Sequence, residues 1–157
     1  MRGWTGLWRA ACAAIAVIAA ASAVRAAGYT VETATIAVNG TSARVLTDAQ
    51  GMTLYYAQSD TPAMSSCTGG CAKIWTPLLS ATAPTAEDPL PGRLAAVKTA
   101  NGPQVSYNGH FLYTYAGDSA PHQAYGQGVA GKWWVATVDL KPAPAAPATT
   151  NDHNGGY

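Results

Sequence analysis

The sequence is poor in charged residues, which make up 11% of its 157 positions. Long surface helices usually carry many Glu and Lys residues, so this scarcity favours a β-rich protein over a helical one. No run of Lys and Arg forms a basic patch, which argues against binding to nucleic-acid phosphates. Beyond Ala26 no apolar run is long enough to span a membrane. We therefore expect a soluble, mostly β protein that binds no nucleic acid.

Catalytic motifs are also missing from the sequence. It contains no G-x-S-x-G and no H-E-x-x-H pattern. The Gly-rich segment 126–131 resembles a nucleotide-binding loop, but no strand precedes it and no helix pattern follows it. The sequence therefore predicts a non-enzymatic protein without a cofactor.

Residues 1–26 have the pattern of a signal peptide. Arg2 and Arg9 precede an Ala-rich apolar run, and small residues before Ala27 fit a cleavage site. Cys12 precedes that run, so it is poorly placed for lipid attachment. Cleavage near Ala26 leaves six Lys and Arg (nine minus three) against eight Asp and Glu, a net charge of −2. We expect a cleaved, exported protein, periplasmic or secreted, with a retained N-terminal anchor as the alternative.

The mature chain contains an internal repeat. Matched positions are separated by a constant 58 residues (109 minus 51), an interval that we call the repeat offset. Segments 51–75 and 109–133 share seven identities over 25 positions without a gap, and two Trp and two Tyr are among the matched residues. The identical pairs are Gly51/Gly109, Leu54/Leu112, Tyr55/Tyr113, Asp60/Asp118, Gly70/Gly128, Ala72/Ala130 and Trp75/Trp133. This predicts one small domain over residues 27–140, built from two homologous units at about 43–78 and 101–137.

Each unit has the pattern of a β-hairpin followed by a Gly-containing loop that ends on Trp. Asn-Gly is a strong signal for a two-residue hairpin turn, and it stands between β-type runs at 108–109, 39–40 and 101–102. We expect about three strands in each unit, short helical turns around residues 71–78, and a Pro-containing connection over 80–92. The Pro/Ala-rich and polar segment 141–157 is predicted to be a disordered tail.

The second unit carries a family motif. Tyr113, Tyr115 and Asp118 form the pattern Y-x-[FWY]-x-x-D, which resembles bacterial exported proteins called secreted repeat of unknown function. Segments 107–121 and 126–135 resemble the second unit of that family, and segments 45–60, 67–72 and 75–79 resemble the first. Ala57 departs from the motif in unit one, and Trp134 stands where members often have His, which argues against a metal role there. The resemblance implies an exported, two-unit architecture and no particular activity.

Aromatic residues of the units have competing interpretations. Strand alternation places Phe111, Tyr113 and Tyr115 on one face, as a core face or, alternatively, a binding platform for a flat ligand or glycan. Trp75 and Trp133 are repeat-equivalent and should pack in the core near the pseudo-twofold axis. Trp134 should point to the opposite face, where it is the candidate for an exposed contact residue or, alternatively, part of a satellite hydrophobic cluster.

The polar candidates likewise have a structural and a functional interpretation. Asp60 and Asp118 each lie five residues after the shared Tyr and before a Pro-containing turn. Such residues commonly accept hydrogen bonds from the N–H groups of the following turn. The alternative is a paired-carboxylate or metal site across the pseudo-twofold axis.

Cys67 and Cys71 are the two cysteines of the mature chain. In an oxidising compartment they predict a disulfide across a small loop. Two alternatives remain: a redox-active dithiol, or a soft-metal site that recruits His110 or His122.

The leading hypothesis is an exported non-enzymatic module that binds a partner or small ligand at the cell envelope or outside the cell. The alternative is a periplasmic metal-handling or thiol-redox protein that uses Cys67 and Cys71.

Overall fold

The computed structural model describes residues 28–145. The predicted signal peptide 1–26 and most of the predicted tail lie outside these described residues. Within this range the chain forms short strands and two 3-10 helices, Cys71–Lys73 and Val129–Gly131. The strands are β1 Glu32–Val38, β2 Thr41–Thr47, β3 Tyr55–Ala57, β4 Trp75–Pro77, β5 Leu94–Thr99, β6 Gly102–Tyr107, β7 His110–Phe111, β8 Tyr113–Tyr115 and β9 Trp133–Val135.

The strands form three antiparallel sheets. A central four-stranded sheet has the order β4-β8-β3-β9, β1 and β2 form a hairpin, and β5, β6 and β7 form a three-stranded sheet. The prediction of a mostly β protein is therefore confirmed. Among the described residues, no helix has both the length and the apolar character that a membrane crossing requires.

The two units exchange their last strands in the central sheet. Tyr55 of unit one lies directly opposite Tyr113 of unit two. β4 of unit one pairs with β8 of unit two, and β9 of unit two pairs with β3 of unit one. Each unit therefore completes the sheet of the other, so that neither can bury its core alone.

Two of the predicted Asn-Gly turns have the expected geometry. Asn39 and Gly40 have φ of 49° and 78°, and Asn108 and Gly109 have φ of 51° and 83°, as a two-residue hairpin turn of this type requires. The third prediction is displaced by one residue. Thr99 pairs with Gly102, so the loop is formed by residues 100–101, and Gly102 begins β6 with φ of 112°.

Apolar side chains pack on both faces of the central strands. One core cluster contains the aromatic residues Tyr55, Trp75, Phe111, Tyr113 and Trp133 together with Ile36, Val45, Ala57, Cys67 and Val135. The second contains Val31, Leu46, Leu54, Val105, Tyr107, Leu112 and Ala136. Neighbours in sequence, such as Leu112 and Tyr113, thus enter different clusters, which is the alternation of a β-strand.

Candidate functional site

Two tyrosine–aspartate hydrogen bonds cross between the units. Tyr55 Oη donates to Asp118 Oδ2 at 2.6 Å, and Tyr113 Oη donates to Asp60 Oδ2 at 2.7 Å. The two pairs are related by the repeat offset, and each joins a tyrosine of one unit to the aspartate of the other. We call them the reciprocal Tyr–Asp pairs. The Tyr and Asp that the two units share thus act between units rather than within one.

Each aspartate also holds the loop that follows it. Asp118 Oδ1 accepts a hydrogen bond from the N–H of Tyr125 at 2.9 Å, and Asp60 Oδ1 accepts from both the N–H and the hydroxyl of Ser66 at 2.7 Å. From the sequence, each Asp was expected to accept hydrogen bonds from the N–H groups of the turn that follows it. The contacts lie instead six and seven residues later, because each carboxylate is turned inwards to reach the tyrosine of the other unit.

The electrostatics of these pairs favour a structural role. Burial raises the pKa of Asp118, although the hydrogen bonds from Tyr55 and Tyr125 act against that rise. Burial and the neighbouring carboxylate raise the pKa of Tyr55 well above its ordinary value. Burial raises the pKa of Tyr113 in the same way. Both tyrosines therefore remain protonated donors at neutral pH and are not poised to act as nucleophiles or bases.

An aromatic stack lies on the pseudo-twofold axis. The rings of Trp75 and Trp133 are 3.9 Å apart and nearly parallel, with 3° between their planes. Tyr55 packs edge-on against Trp75, and Tyr113 packs edge-on against Trp133. Tyr115 also stacks on Trp75, with 4.3 Å between the centres of the two rings.

Burial distinguishes the two interpretations of the Phe111, Tyr113 and Tyr115 face. Phe111 and Tyr113 are fully buried, and Tyr115 is half-buried against the same cluster. A buried ring offers no face to a ligand, so the structure places this row in the core rather than in an open binding platform.

Cys67 and Cys71 form the predicted disulfide. Cys67 is buried, and Asn101 Nδ2 donates to its carbonyl oxygen at 2.9 Å. His110 packs against Tyr56. His122 lies in an exposed loop, where its backbone N–H donates to the carbonyl oxygen of Gly51. Across residues 28–145, no three His, Cys, Asp or Glu side chains are grouped so that they could hold a metal ion.

A groove lined by aromatic side chains opens on the face of the central sheet opposite the tryptophan stack. Trp134 on β9 lies directly across from Tyr56 on β3, and the Tyr56 ring is 4.6 Å from the ring of His110. The groove has a volume of about 650 Å³. We call it the aromatic groove; its lining residues are Tyr56, Gln58, Asp60, Thr61, His110, Trp134, Pro144 and Ala145.

Strand alternation explains why these aromatic side chains are outside the aromatic core, with Tyr56 packed against the second cluster instead. Trp133 and Val135 point into the aromatic core, so Trp134 between them points away from it. Tyr55 and Ala57 likewise point into that core, so Tyr56 points to the other face. Trp134 therefore lies on the face predicted from the sequence and is half-buried.

Of the other two groove rings, Tyr56 was not predicted from the sequence, and His110 was named only as an alternative metal ligand. At the repeat offset, Tyr56, His110 and Trp134 correspond to Thr114, Met52 and Thr76. The units thus differ at the three positions that supply the rings, although they share three core pairs: Leu54/Leu112, Tyr55/Tyr113 and Trp75/Trp133. The three rings therefore come together at only one of the two repeat-related places, from Tyr56 of unit one and from His110 and Trp134 of unit two.

The polar groups of the groove are suited to hydrogen bonding. His110 Nε2 lies 3.0 Å from the carbonyl oxygen of Lys141, so this nitrogen carries the proton and donates. Burial lowers the pKa of His110, which favours the neutral ring. Gln58 adds an exposed side-chain amide. Asp60 adds a carboxylate and Thr61 a hydroxyl group, so the lining offers both donors and acceptors to a ligand.

Comparison with known proteins identifies the family. The model of the family described as secreted repeat of unknown function matches the chain twice, at residues 37–79 and 95–137. The two matches are separated by the repeat offset found in the sequence, and together they cover more than half of the chain. A search of curated proteins and a search of solved structures found no match. The chain belongs to the family of secreted repeats of unknown function.

Proposed function

We propose that this protein is an exported, non-enzymatic binding module and that the aromatic groove is its ligand site. The observation that carries the proposal is the position of Trp134 and Tyr56. Both are large, half-buried aromatic side chains at opposed positions of paired strands, whereas the other aromatic residues of the central strands, apart from the half-buried Tyr115, are buried in the core. Adjacent aromatic rings that are partly accessible, together with a few convergent polar groups, are the usual composition of a ligand site.

The scaffold beneath the groove supports this proposal because it holds the rings in place. Tyr56 and Trp134 are carried by paired strands, β3 and β9, and their sequence neighbours Tyr55 and Trp133 are anchored in the aromatic core. Asp60, at one end of the groove, is fixed by Tyr113 and Ser66. A site formed before the ligand arrives loses less conformational entropy on binding, which favours affinity.

The alternative function, a metal or thiol-redox role at Cys67 and Cys71, lacks comparable support. The two sulfur atoms are bonded to each other, and Cys67 is buried. Its small loop is instead tied to the second unit through Asn101.

The proposal can be tested by NMR with ¹⁵N-labelled tryptophan. The chain from Ala27 onwards contains Trp75, Trp133 and Trp134, so it should give three indole N–H signals. We would add triacetylchitotriose as a saccharide probe and quinoline as a flat aromatic probe. We expect a saturable shift of the Trp134 signal with at least one probe, because Trp75 and Trp133 are buried and Trp134 lines the groove.

Two variants control this experiment. Because Trp134→Ala removes the reporter signal, binding to the variants is measured by isothermal titration calorimetry. Trp134→Ala should abolish binding, whereas Tyr125→Ala should leave it unchanged, since Tyr125 is 67% accessible but is not among the groove residues. Equal loss of binding in both variants would contradict the proposal. So would the absence of a Trp134 shift with these probes and with the peptide described below.

A further inference from the structure

The chain's own residues 141–145 lie against the aromatic groove. The carbonyl oxygen of Lys141 accepts a hydrogen bond from His110 Nε2 at 3.0 Å, and the N–H of Ala143 donates to the carbonyl oxygen of Asn108 at 2.9 Å. Pro144 and Ala145 form part of the groove lining. These residues belong to the segment that the sequence analysis assigned to a disordered tail, but the turn at Asn108 and the neighbouring His110 capture their backbone groups.

The composition of this segment determines the shape in which it is held. Pro142 and Pro144 fix their own φ angles and disfavour helical conformations at the residues before them, which leaves an extended, polyproline-like chain. Neither proline has an N–H group, so Ala143 supplies the donor between them, and that donor is paired with Asn108. The segment meets the groove with proline and alanine side chains and with one accepting carbonyl group.

We infer that the aromatic groove recognises an extended, Pro/Ala-rich polypeptide and that segment 141–145 is an intramolecular competitor for it. The inference rests on the proposed function and names the class of ligand. Polyproline-like chains are commonly bound by grooves of Tyr and Trp rings, with side-chain N–H groups that donate to their carbonyl oxygens. The groove has this set in Tyr56, Trp134 and the Nε2–H of His110, and it already holds a segment of this composition along one wall.

The chain's own segment fills only part of the groove, so an added peptide can enter the open part and competes with the segment for the rest, which includes the Nε2–H of His110. The volume of about 650 Å³ is what remains with Pro144 and Ala145 in place. A tethered segment is present at an effective concentration on the order of millimolar, so it weakens the binding of an added peptide of similar intrinsic affinity without preventing it.

The test uses a synthetic peptide, KPAPAAPATT, which has the sequence of residues 141–150. It is titrated into the ¹⁵N-labelled chain from Ala27 onwards and into its Pro142→Gly/Pro144→Gly variant, with the Trp134 indole signal as readout. The glycines release the extended conformation of the chain's own segment but leave Asn108 and His110 intact. We expect the peptide to shift Trp134 in both proteins and to bind the variant up to about tenfold more tightly.

Two controls address specificity. A peptide with Ala in place of every Pro should bind about threefold or more weakly, because it loses the preformed extended shape. Measured by isothermal titration calorimetry, which does not depend on the Trp134 signal, Trp134→Ala should remove peptide binding from the double-glycine variant, and Tyr125→Ala should not.

The outcomes separate this inference from the proposed function. If triacetylchitotriose or quinoline shifts Trp134 and the peptide does not, the peptide inference is wrong and the binding-module proposal stands. If the peptide binds with equal affinity to both proteins, or if the all-Ala peptide binds equally well, the inference is also wrong. If none of the three probes shifts Trp134, both proposals fail.

Discussion

Replacing Tyr55 by Phe tests the reciprocal Tyr–Asp pairs most directly. The substitution removes one hydroxyl group and keeps the ring that packs against Trp75 and Tyr115. The lost hydroxyl donates to Asp118 at 2.6 Å and accepts from the N–H of Gly126 at 3.2 Å. Phe therefore leaves a buried carboxylate with one protein donor fewer and a buried backbone N–H without this acceptor.

The expected cost follows from these two contacts. A hydrogen bond to a charged group contributes about 1.5–3 kcal/mol, and a buried donor left unpaired costs about 1–3 kcal/mol, partly offset by relaxation. We expect Tyr55→Phe to lower the free energy of unfolding by about 3 kcal/mol. Tyr113→Phe should cost about 2 kcal/mol, because Asp60 is less buried and keeps its two bonds from Ser66. The Ser65 hydroxyl, which pairs with Tyr113 Oη at 2.7 Å, can donate to the carbonyl oxygen of Cys67 instead.

The measurement is urea unfolding followed by tryptophan fluorescence. The slope of the free energy of unfolding against urea concentration is expected to be the same in wild type and variants. Tyr107→Phe is the matched control, since Tyr107 is equally buried but donates to a neutral carbonyl group, that of Val138, at 2.6 Å. It should cost about 1 kcal/mol. A double-mutant cycle of Tyr55→Phe with Asp118→Asn should give a coupling energy of about 1–2 kcal/mol. A coupling below about 0.5 kcal/mol, or a Tyr55→Phe cost no larger than that of Tyr107→Phe, would refute the reasoning.

Three further predictions concern pH, the disulfide and a close contact. Burial raises the pKa of Asp118 above 3.8, so the contribution of this group to stability is fully present below pH 3.8 and is lost as the pH rises through the raised pKa. In urea titrations at several pH values, the free energy of unfolding of the wild type relative to Asp118→Asn should therefore fall over that range, and a constant difference would contradict this. The double variant Cys67→Ala/Cys71→Ala should lower the free energy of unfolding by about 2 kcal/mol in urea titrations and leave the Trp134 NMR signal in place. If the variant does not fold, the disulfide does more than shape its loop, and this prediction is wrong. Gly126→Ala should lower the free energy of unfolding by about 2 kcal/mol or more, because a Cβ there would lie 2.7 Å from the Tyr55 ring. Gly70→Ala is the control, since the backbone at Gly70 is helical and the space around it is open, and equal calorimetric melting temperatures for the two variants would contradict the packing argument.

The repeat and the strand class could be predicted because they depend on local pattern. Identities at one fixed offset marked the duplication, and Asn-Gly with alternating apolar residues marked the hairpins at 39–40 and 108–109. The third Asn-Gly was displaced because pairing of Thr99 with Gly102 left residues 100–101 in the loop. Strand register is decided by the partner strand, which the local sequence does not contain.

The candidate site was predictable only in part. Alternation around Trp133 was enough to place Trp134 on the outer face. Its neighbours in the groove come from β3, β7 and the segment after Leu140, which are distant in sequence. Their meeting required the exchange of last strands between the units, and no single-unit pattern contains that information.

By itself, the sequence determined that this is an exported-type, duplicated β protein with two cysteines in one small loop, because composition, repeat offset and turn residues are local properties. Only the tertiary structure decided that Tyr55 bonds to Asp118 and Tyr113 to Asp60 across the two units. The physical reason is that a buried hydroxyl and a carboxylate must find partners in three dimensions, and the crossed strand pairing brings the Tyr of each unit to the Asp of the other.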